Sequence, residues 1–158
     1  MVTIRLASAA DALSLARLRF DFRSAIEKVD EDETAFLERC AQWMSERLSR
    51  PSGWQCWLAE LDGRAVGHLW AQLIEKVPNP TAEPEYHAYI TNLFVSPEAR
   101  GAAGSRLLAA ALAWIEMNDV HAVILWPTER SRSLYQRHGF TTPDDLLELV
   151  MSSGSEVS

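Results

Sequence analysis

From Ile90 to Leu108 the chain reads Ile-Thr-Asn-Leu-Phe-Val-Ser-Pro-Glu-Ala-Arg-Gly-Ala-Ala-Gly-Ser-Arg-Leu-Leu, an order that leaves little freedom of fold. A β-rich run meets Pro97, which cannot donate to a sheet ladder, and then passes through a loop of small residues into an apolar-striped helix. The backbone N–H groups that open such a helix have no intrahelical partners, and the helix dipole lies behind them. They form a ready site for a phosphate group, so a phosphate-bearing cofactor is the first expectation.

The flanking sequence fixes the rest of the order. Val2–Ala7 alternates as a strand. Ser8-Ala9-Ala10-Asp11 is a capping-box-like start, followed by Leu15, Leu18, Phe22 and Ile26 at helical spacing. A second helix is predicted from about Thr34 to Arg50, with Leu37, Cys40, Met44 and Leu48 on one face and Pro51-Ser52-Gly53 as its stop. Trp54–Leu61 and Arg64–Ile74 flank Asp62-Gly63, a two-residue hairpin signal. Pro78 to Pro84 must be a loop, and Tyr86–Val95 is the next strand. A helix from about Ala103 to Met117 would bury Leu108, Ala111, Leu112 and Ile115. Val120–Trp126 is nearly all apolar, as for the interior of a sheet. Thr128 caps a helix that ends at His138-Gly139, and Leu146–Met151 reads as a final strand. The result is one α/β domain over residues 1–151 with a mixed sheet, followed by a small polar tail, Ser152 to Ser158, expected to be disordered.

Composition excludes several functions. A net charge of −7 argues against nucleic acid, whose phosphates are bound by clustered Lys and Arg. The run Asp30-Glu31-Asp32-Glu33 reads as a solvated helix start, or as an attraction for a cationic amine. No apolar run approaches the roughly 18–20 residues that cross a membrane, and Met1-Val2-Thr3-Ile4-Arg5 reads as a strand, not a signal peptide. The expected compartment is the cytoplasm. Cys40 and Cys56 lie in apolar patterns without metal-ligand spacing, so buried free thiols and no metal are expected.

Three segments resemble the GNAT superfamily of acetyl-CoA-dependent N-acetyltransferases. They are Leu93-Phe94-Val95 running into Ser96-Pro97-Glu98-Ala99-Arg100-Gly101, the helix opening Gly104-Ser105-Arg106-Leu107-Leu108, and Ser131-Arg132-Ser133-Leu134-Tyr135-Gln136-Arg137-His138-Gly139-Phe140. The order of elements over roughly Val2 to Met151 is similar too. The resemblance implies a mixed, mostly antiparallel sheet whose central strands splay, with free backbone groups of Leu93, Phe94 and Val95 binding the pantetheine arm. It implies a pyrophosphate cradle on Arg100, Gly101, Ala102, Ala103, Gly104, Ser105 and Arg106, with Arg100 or Arg106 neutralising charge. Thr128, where relatives often carry Asn near the thioester, belongs to the same site with Ser131 and Arg132. Tyr135 is implied as the acid that protonates the departing thiolate.

Two features depart from the family pattern. The cradle is one residue short between Arg100-Gly101 and Gly104, which rotates the following helix by about 100° unless the turn absorbs it. No carboxylate shares the strand face on which alternation puts His87, Tyr89, Thr91 and Leu93. The route for the amine proton therefore stays open among His87, a carboxylate of Glu75, Glu83 or Glu85, and a chain of water. The first two helices and the Pro78–Pro84 loop are expected to flank the acceptor mouth, with Trp43, Arg47, Trp57, Trp70 and Tyr89 as lining. The reading is acetyl transfer from acetyl-CoA to a primary amine of a small molecule or peptide. A CoA-binding regulatory or degenerate module is the alternative, and exposed sheet edges admit a homodimer. The sequence has neither Gly-x-x-x-x-Gly-Lys-Ser/Thr nor Gly-x-Gly-x-x-Gly, which argues against a nucleotide-binding protein of either kind.

Overall fold

A computed structural model describes residues 1–152; the tail expected from Ser152 onward lies, beyond that first residue, outside the described residues. Five strands form one sheet, in spatial order β1 (Val2–Leu6), β2 (Trp54–Leu61), β3 (Arg64–Glu75), β4 (Tyr86–Val95) and β5 (Val120–Ile124). The first four are antiparallel to their neighbours, whereas β5 runs parallel to β4. A parallel neighbour needs a crossover, and α3 (Ala102–Met117) supplies it. The hairpin signal is realised as expected: Asp62 and Gly63 hold φ of 52° and 76°, the pair of positive values that a type I′ turn requires.

Strand alternation divides the core between the two faces of the sheet. Trp57, Ala59, Leu69 and Ala71 point toward α3 and meet Leu107, Leu108, Ala111 and Ile115. Cys56, Leu58 and Trp70 point the other way, toward α1 (Ala12–Ile26) and α2 (Glu33–Leu48). Leu107 and Leu108 are fully buried, and burial of a leucine side chain contributes ~1.5–3 kcal/mol. The starts of the first helices are fixed by acids. Asp11 Oδ2 accepts from the Ser8 N–H at 2.8 Å, and Asp32 caps α2 by accepting from Ala35 N–H at 3.1 Å. The acidic run is thus spent locally, since Glu31 and Glu33 also pair with Arg39 and Arg17.

The structure corrects several expectations. Leu146–Met151 forms no strand. Leu147, Leu149, Val150 and Met151 stand exposed, and Glu148 is tied to the body by accepting from the Trp126 indole N–H. Apolar alternation makes a strand only where a neighbouring strand and an apolar surface receive it. β5 ends at Ile124 rather than Trp126, and it is the edge of the sheet, not its interior. Its apolar residues are accordingly only partly covered. Ile26, the last residue of α1, is exposed rather than buried.

Asp11 also receives both Arg5 guanidinium Nη atoms, at 2.8 and 2.9 Å. This ion pair, followed by the Ser8 N–H, holds its carboxyl down to about 2. A depressed carboxylate stabilises the fold above the unfolded-state value near 4 and loses that contribution as pH falls toward 2. Arg5 is solvent-facing, so screening limits the effect to about 1 kcal/mol. Asp11→Asn should therefore unfold more easily than wild type at pH 7, with the difference in urea midpoint vanishing near pH 2.

Candidate functional site

The central irregularity of the sheet lies in β4. His68 pairs with Phe94 and Trp70 with Thr91, so the single residue Leu69 on β3 faces both Asn92 and Leu93. This is a β-bulge, and Asn92 takes the extra place with φ 65°, a left-handed conformation that Asn tolerates better than most residues. The bulge overturns the expected alternation. Tyr89, Thr91 and Asn92 face a cavity on the α1/α2 side, whereas Leu93 is turned into the α3 side of the core. On its other edge β4 pairs with β5 only from Tyr86↔Val120 to Tyr89↔Ile124. From Ile90 to Val95 the two strands have parted, leaving that edge of β4 without a strand partner among the described residues.

The cavity beside the bulge has a volume of about 640 Å³, within the usual range for small-molecule sites. Phe36, Trp43, Trp54, Trp70 and Tyr89 form aromatic walls, and Arg19, Arg39 and Glu46 bring charge. Trp43, Trp54 and Trp70 form one cluster, with ring centroids 5.3–6.1 Å apart. Trp43, Trp70 and Tyr89 thus line the cavity as expected, and α1 and α2 flank it. Trp57 does not, because it packs in the α3-side core against Trp114. Arg47 lies over the Trp43 ring at 4.6 Å, outside the lining, and no residue of the Pro78–Pro84 loop reaches it. Cys40 lines the cavity rather than being sealed in the core, and burial raises its thiol pKa.

The loop before α3 closes around one glycine. Pro97–Ala99 make a 3₁₀ turn, and Arg100 is extended. Gly101, at φ 131° and ψ −121°, becomes the N-cap of α3. That conformation is open to glycine and strained for other residues, and α3 follows with its apolar face inward. No side chain caps α3, so the first N–H groups, on Ala102, Ala103 and Gly104, are not taken by a cap. Arg100 is exposed beside them and its Nε reaches Val95 O at 3.4 Å. Arg106 is directed elsewhere, donating to the Val2 carbonyl on β1. Ser105 Oγ is bonded to His138 Nε2 at 3.2 Å, which links α3 to the last helix.

That helix, α4 (Arg132–Arg137), explains the signature ending in Gly139-Phe140. Thr128 Oγ1 accepts from Ser131 N–H at 3.0 Å, and Ser131 Oγ accepts from Thr128 N–H at 2.9 Å, so both side chains are engaged in starting the helix. Arg132 is exposed. At the other end Gly139 holds φ 94°, Phe140 N–H reaches Tyr135 O, and Gly139 N–H reaches Gln136 O, both at 3.1 Å. This is a Schellman motif, which characteristically brings an apolar contact between its outer residues. Here the contact is Tyr135 on Phe140, centroids 5.4 Å apart.

Tyr135 is therefore locked in place, 2 % exposed, yet its hydroxyl has no hydrogen-bond partner among the described residues. Burial, reinforced by the nearby Tyr89 phenol, raises its pKa far above the ordinary value, so it keeps its proton at neutral pH. A buried hydroxyl without a partner carries a desolvation cost of about 1–3 kcal/mol that a bound group can relieve. His87 is not brought to this place. It lies where β4 is still paired with β5, stacked on His121 at 5.4 Å, about 17 Å of strand from Asn92. Glu75, Glu83 and Glu85 are not cavity-lining either; Glu46 is the one carboxylate there among the described residues. Arg19 and Asn92 were missed by sequence reasoning, although an arginine inside an apolar helical stripe and an asparagine inside a strand are both detectable signals.

Residues 15–140 match the family model described as Acetyltransferase (GNAT) family. No curated protein sequence matches the chain. Among solved structures, a predicted acetyltransferase of Clostridium acetobutylicum, crystallised with acetyl-CoA, superposes with a TM-score of 0.78 at 21% identity, covering 96% of this chain and 97% of its own. A GCN5-related N-acetyltransferase of Ralstonia eutropha JMP134 gives 0.74 at 22%, covering 96% and 100%. Glucosamine-6-phosphate N-acetyltransferase of Arabidopsis thaliana gives 0.69 at 13%, covering 96% and 99%. At these identities the likeness is one of fold.

The bulge itself can be tested. Asn92 Oδ1 accepts from Arg19 Nη1 at 2.7 Å, so Asn92→Ala should lower unfolding stability by about 1–3 kcal/mol through left-handed strain and the loss of that bond. Asn92→Gly accepts the same φ and should recover part of that loss in urea unfolding.

Proposed function

Because the chain belongs to the GNAT family of acetyltransferases, we propose that it moves an acetyl group from acetyl-CoA to a primary amine by direct attack in the cavity beside Asn92. The observation that carries this reading is the buried, unpartnered hydroxyl of Tyr135. It is a proton donor without a partner, close to Tyr89, where β4 and β5 part. Acetyl-CoA, when bound, supplies the acetyl group as a thioester.

The residues present fit that ligand. The free edge of Leu93, Phe94 and Val95 offers backbone groups to an extended arm. Ala102, Ala103 and Gly104 offer N–H groups for a pyrophosphate, with Gly101 shaping the approach and Arg100 adding charge. Arg106, bonded to Val2, is dropped from that role, and Thr128, Ser131 and Arg132 contribute through the start of α4. Tyr135 holds its proton at neutral pH and donates it to the departing thiolate. On the acceptor side, the aromatic walls strip water from the amine's substituent and leave the amine facing the bulge. Glu46 and solvent at the open mouth are the routes by which the amine loses its proton, in place of His87.

The test is thiol release from acetyl-CoA with a panel of small amines. Tyr135→Phe should reduce turnover by ~10²–10⁴ while CoA binding by calorimetry stays within a few-fold of wild type. Undiminished turnover in that variant would remove Tyr135 from the chemistry. CoA binding without turnover of any amine would make the chain a CoA-binding module.

A further inference from the structure

α1 turns Leu15, Ala16, Leu18 and Phe22 toward the core. Arg19 stands inside that stripe, four residues after Leu15 and three before Phe22, so its side chain is carried inward with theirs. Its guanidinium lies 6.0 Å from the centre of the Phe22 ring, and Nη1 donates to Asn92 Oδ1 at 2.7 Å. It faces the cavity. Arg5, Arg17, Arg23, Arg39 and Arg47 each pair with a carboxylate; Arg19 has no such partner among the described residues. Five N–H donors are thus held in a fixed fork, and the one bond made goes to a neutral amide. A half-buried cation in that state is costly unless an anion meets it.

We infer that the acceptor amine carries a carboxylate, bound by Arg19, on an apolar body covered by the Trp43, Trp54 and Trp70 wall: a free α-amino acid with an aromatic or large aliphatic side chain. This rests on the acetyl-transfer reading above. Two placements make the assignment specific. Arg19 is anchored to Asn92 at the bulge, beside the place where the reacting amine arrives, so anion and amine must sit close together, as they do on one α-carbon. The only other arginine on the cavity wall among the described residues, Arg39, is bonded to Glu31 at 2.7 Å. A single free guanidinium matches one carboxylate in a two-pronged bond, whereas a phosphate dianion would call for a second cation. The same charge disfavours polyamines, whose extra ammonium groups would meet Arg19.

The direct comparison is phenylalanine against phenethylamine, which has the same amine and ring without the carboxylate, together with glucosamine 6-phosphate. Wild type should acetylate phenylalanine with at least tenfold higher kcat/KM than phenethylamine. Arg19→Gln should bring that ratio near one, mainly through KM, with the KM for acetyl-CoA unchanged. Arg19→Lys keeps charge without the fork and should lie between them, and Arg17→Gln, an exposed charge on the same helix, should leave the ratio intact. A preference for phenethylamine or glucosamine 6-phosphate in wild type, or an equal loss on both amines in Arg19→Gln, overturns the assignment. A second arm needs no turnover: calorimetry of N-acetylphenylalanine on the folded chain. Binding that is weakened at least tenfold by Arg19→Gln supports the inference, and absent or equal binding overturns it. CoA binding, read separately, reports on the acetyl-transfer reading alone.

Discussion

One extra residue in β4, Asn92 at φ 65°, is the constraint on which the site depends. A regular strand would keep every second side chain on the same face. With the bulge, Tyr89, Thr91 and Asn92 all serve the cavity, while Leu93 returns to the α3-side core. A bulge also increases local twist and bends its strand, and just before it β4 loses β5 as a partner, after Tyr89↔Ile124. A cavity on one face and a free backbone edge between two strands thus arise at the same point. Arg19 reaches that point only because the asparagine that takes the left-handed position also offers a carbonyl oxygen to it.

The second support is the helix end that holds Tyr135. The Schellman motif closes around Gly139, and its outer contact is the Tyr135 ring on Phe140. The spacing Leu-Tyr-x-x-x-Gly-Phe is therefore a statement about helix termination as much as about chemistry: it fixes where the phenol lies before any ligand is considered. Ser105 and His138 then link α3 to α4. The loop, the helix start and the phenol are one connected unit, with Gly101 in its positive-φ conformation at the hinge.

Much of this was legible in the sequence because it depends on local chemistry. Asp62-Gly63 dictated a hairpin, Pro97 ended β4, and Gly139 ended α4, each for a reason contained in a few residues. What failed depended on partners distant in the chain. Leu146–Met151 has the composition of a strand, but nothing receives it. Val120–Trp126 has the composition of a central strand, but it lies at the edge. Alternation along β4 failed at Asn92 because a period of two cannot survive an added residue, although an Asn within a β-branched and aromatic run was the available warning. Trp57 and Trp70 look alike in sequence, and only the register of β2 on β3 sends them to opposite faces. His87 lies on the same strand as Asn92 but at its paired end, against β5.

Charge shows the same division between overall and local. A net charge of −7 would suggest attraction for cationic acceptors, and the run Asp30-Glu31-Asp32-Glu33 would be its focus. In the folded chain Asp32 caps α2, while Glu31 and Glu33 are committed to Arg39 and Arg17. Screening over about 8 Å at physiological ionic strength then leaves a bound amine governed by the charges that face it. Those are the Arg19 guanidinium held by a neutral amide and, at the wall, Arg39 paired with Glu31 and Glu46 beside Arg47. Of the cavity's arginines, Arg19 alone has no carboxylate partner among the described residues, and it is held at the bulge that shapes the cavity.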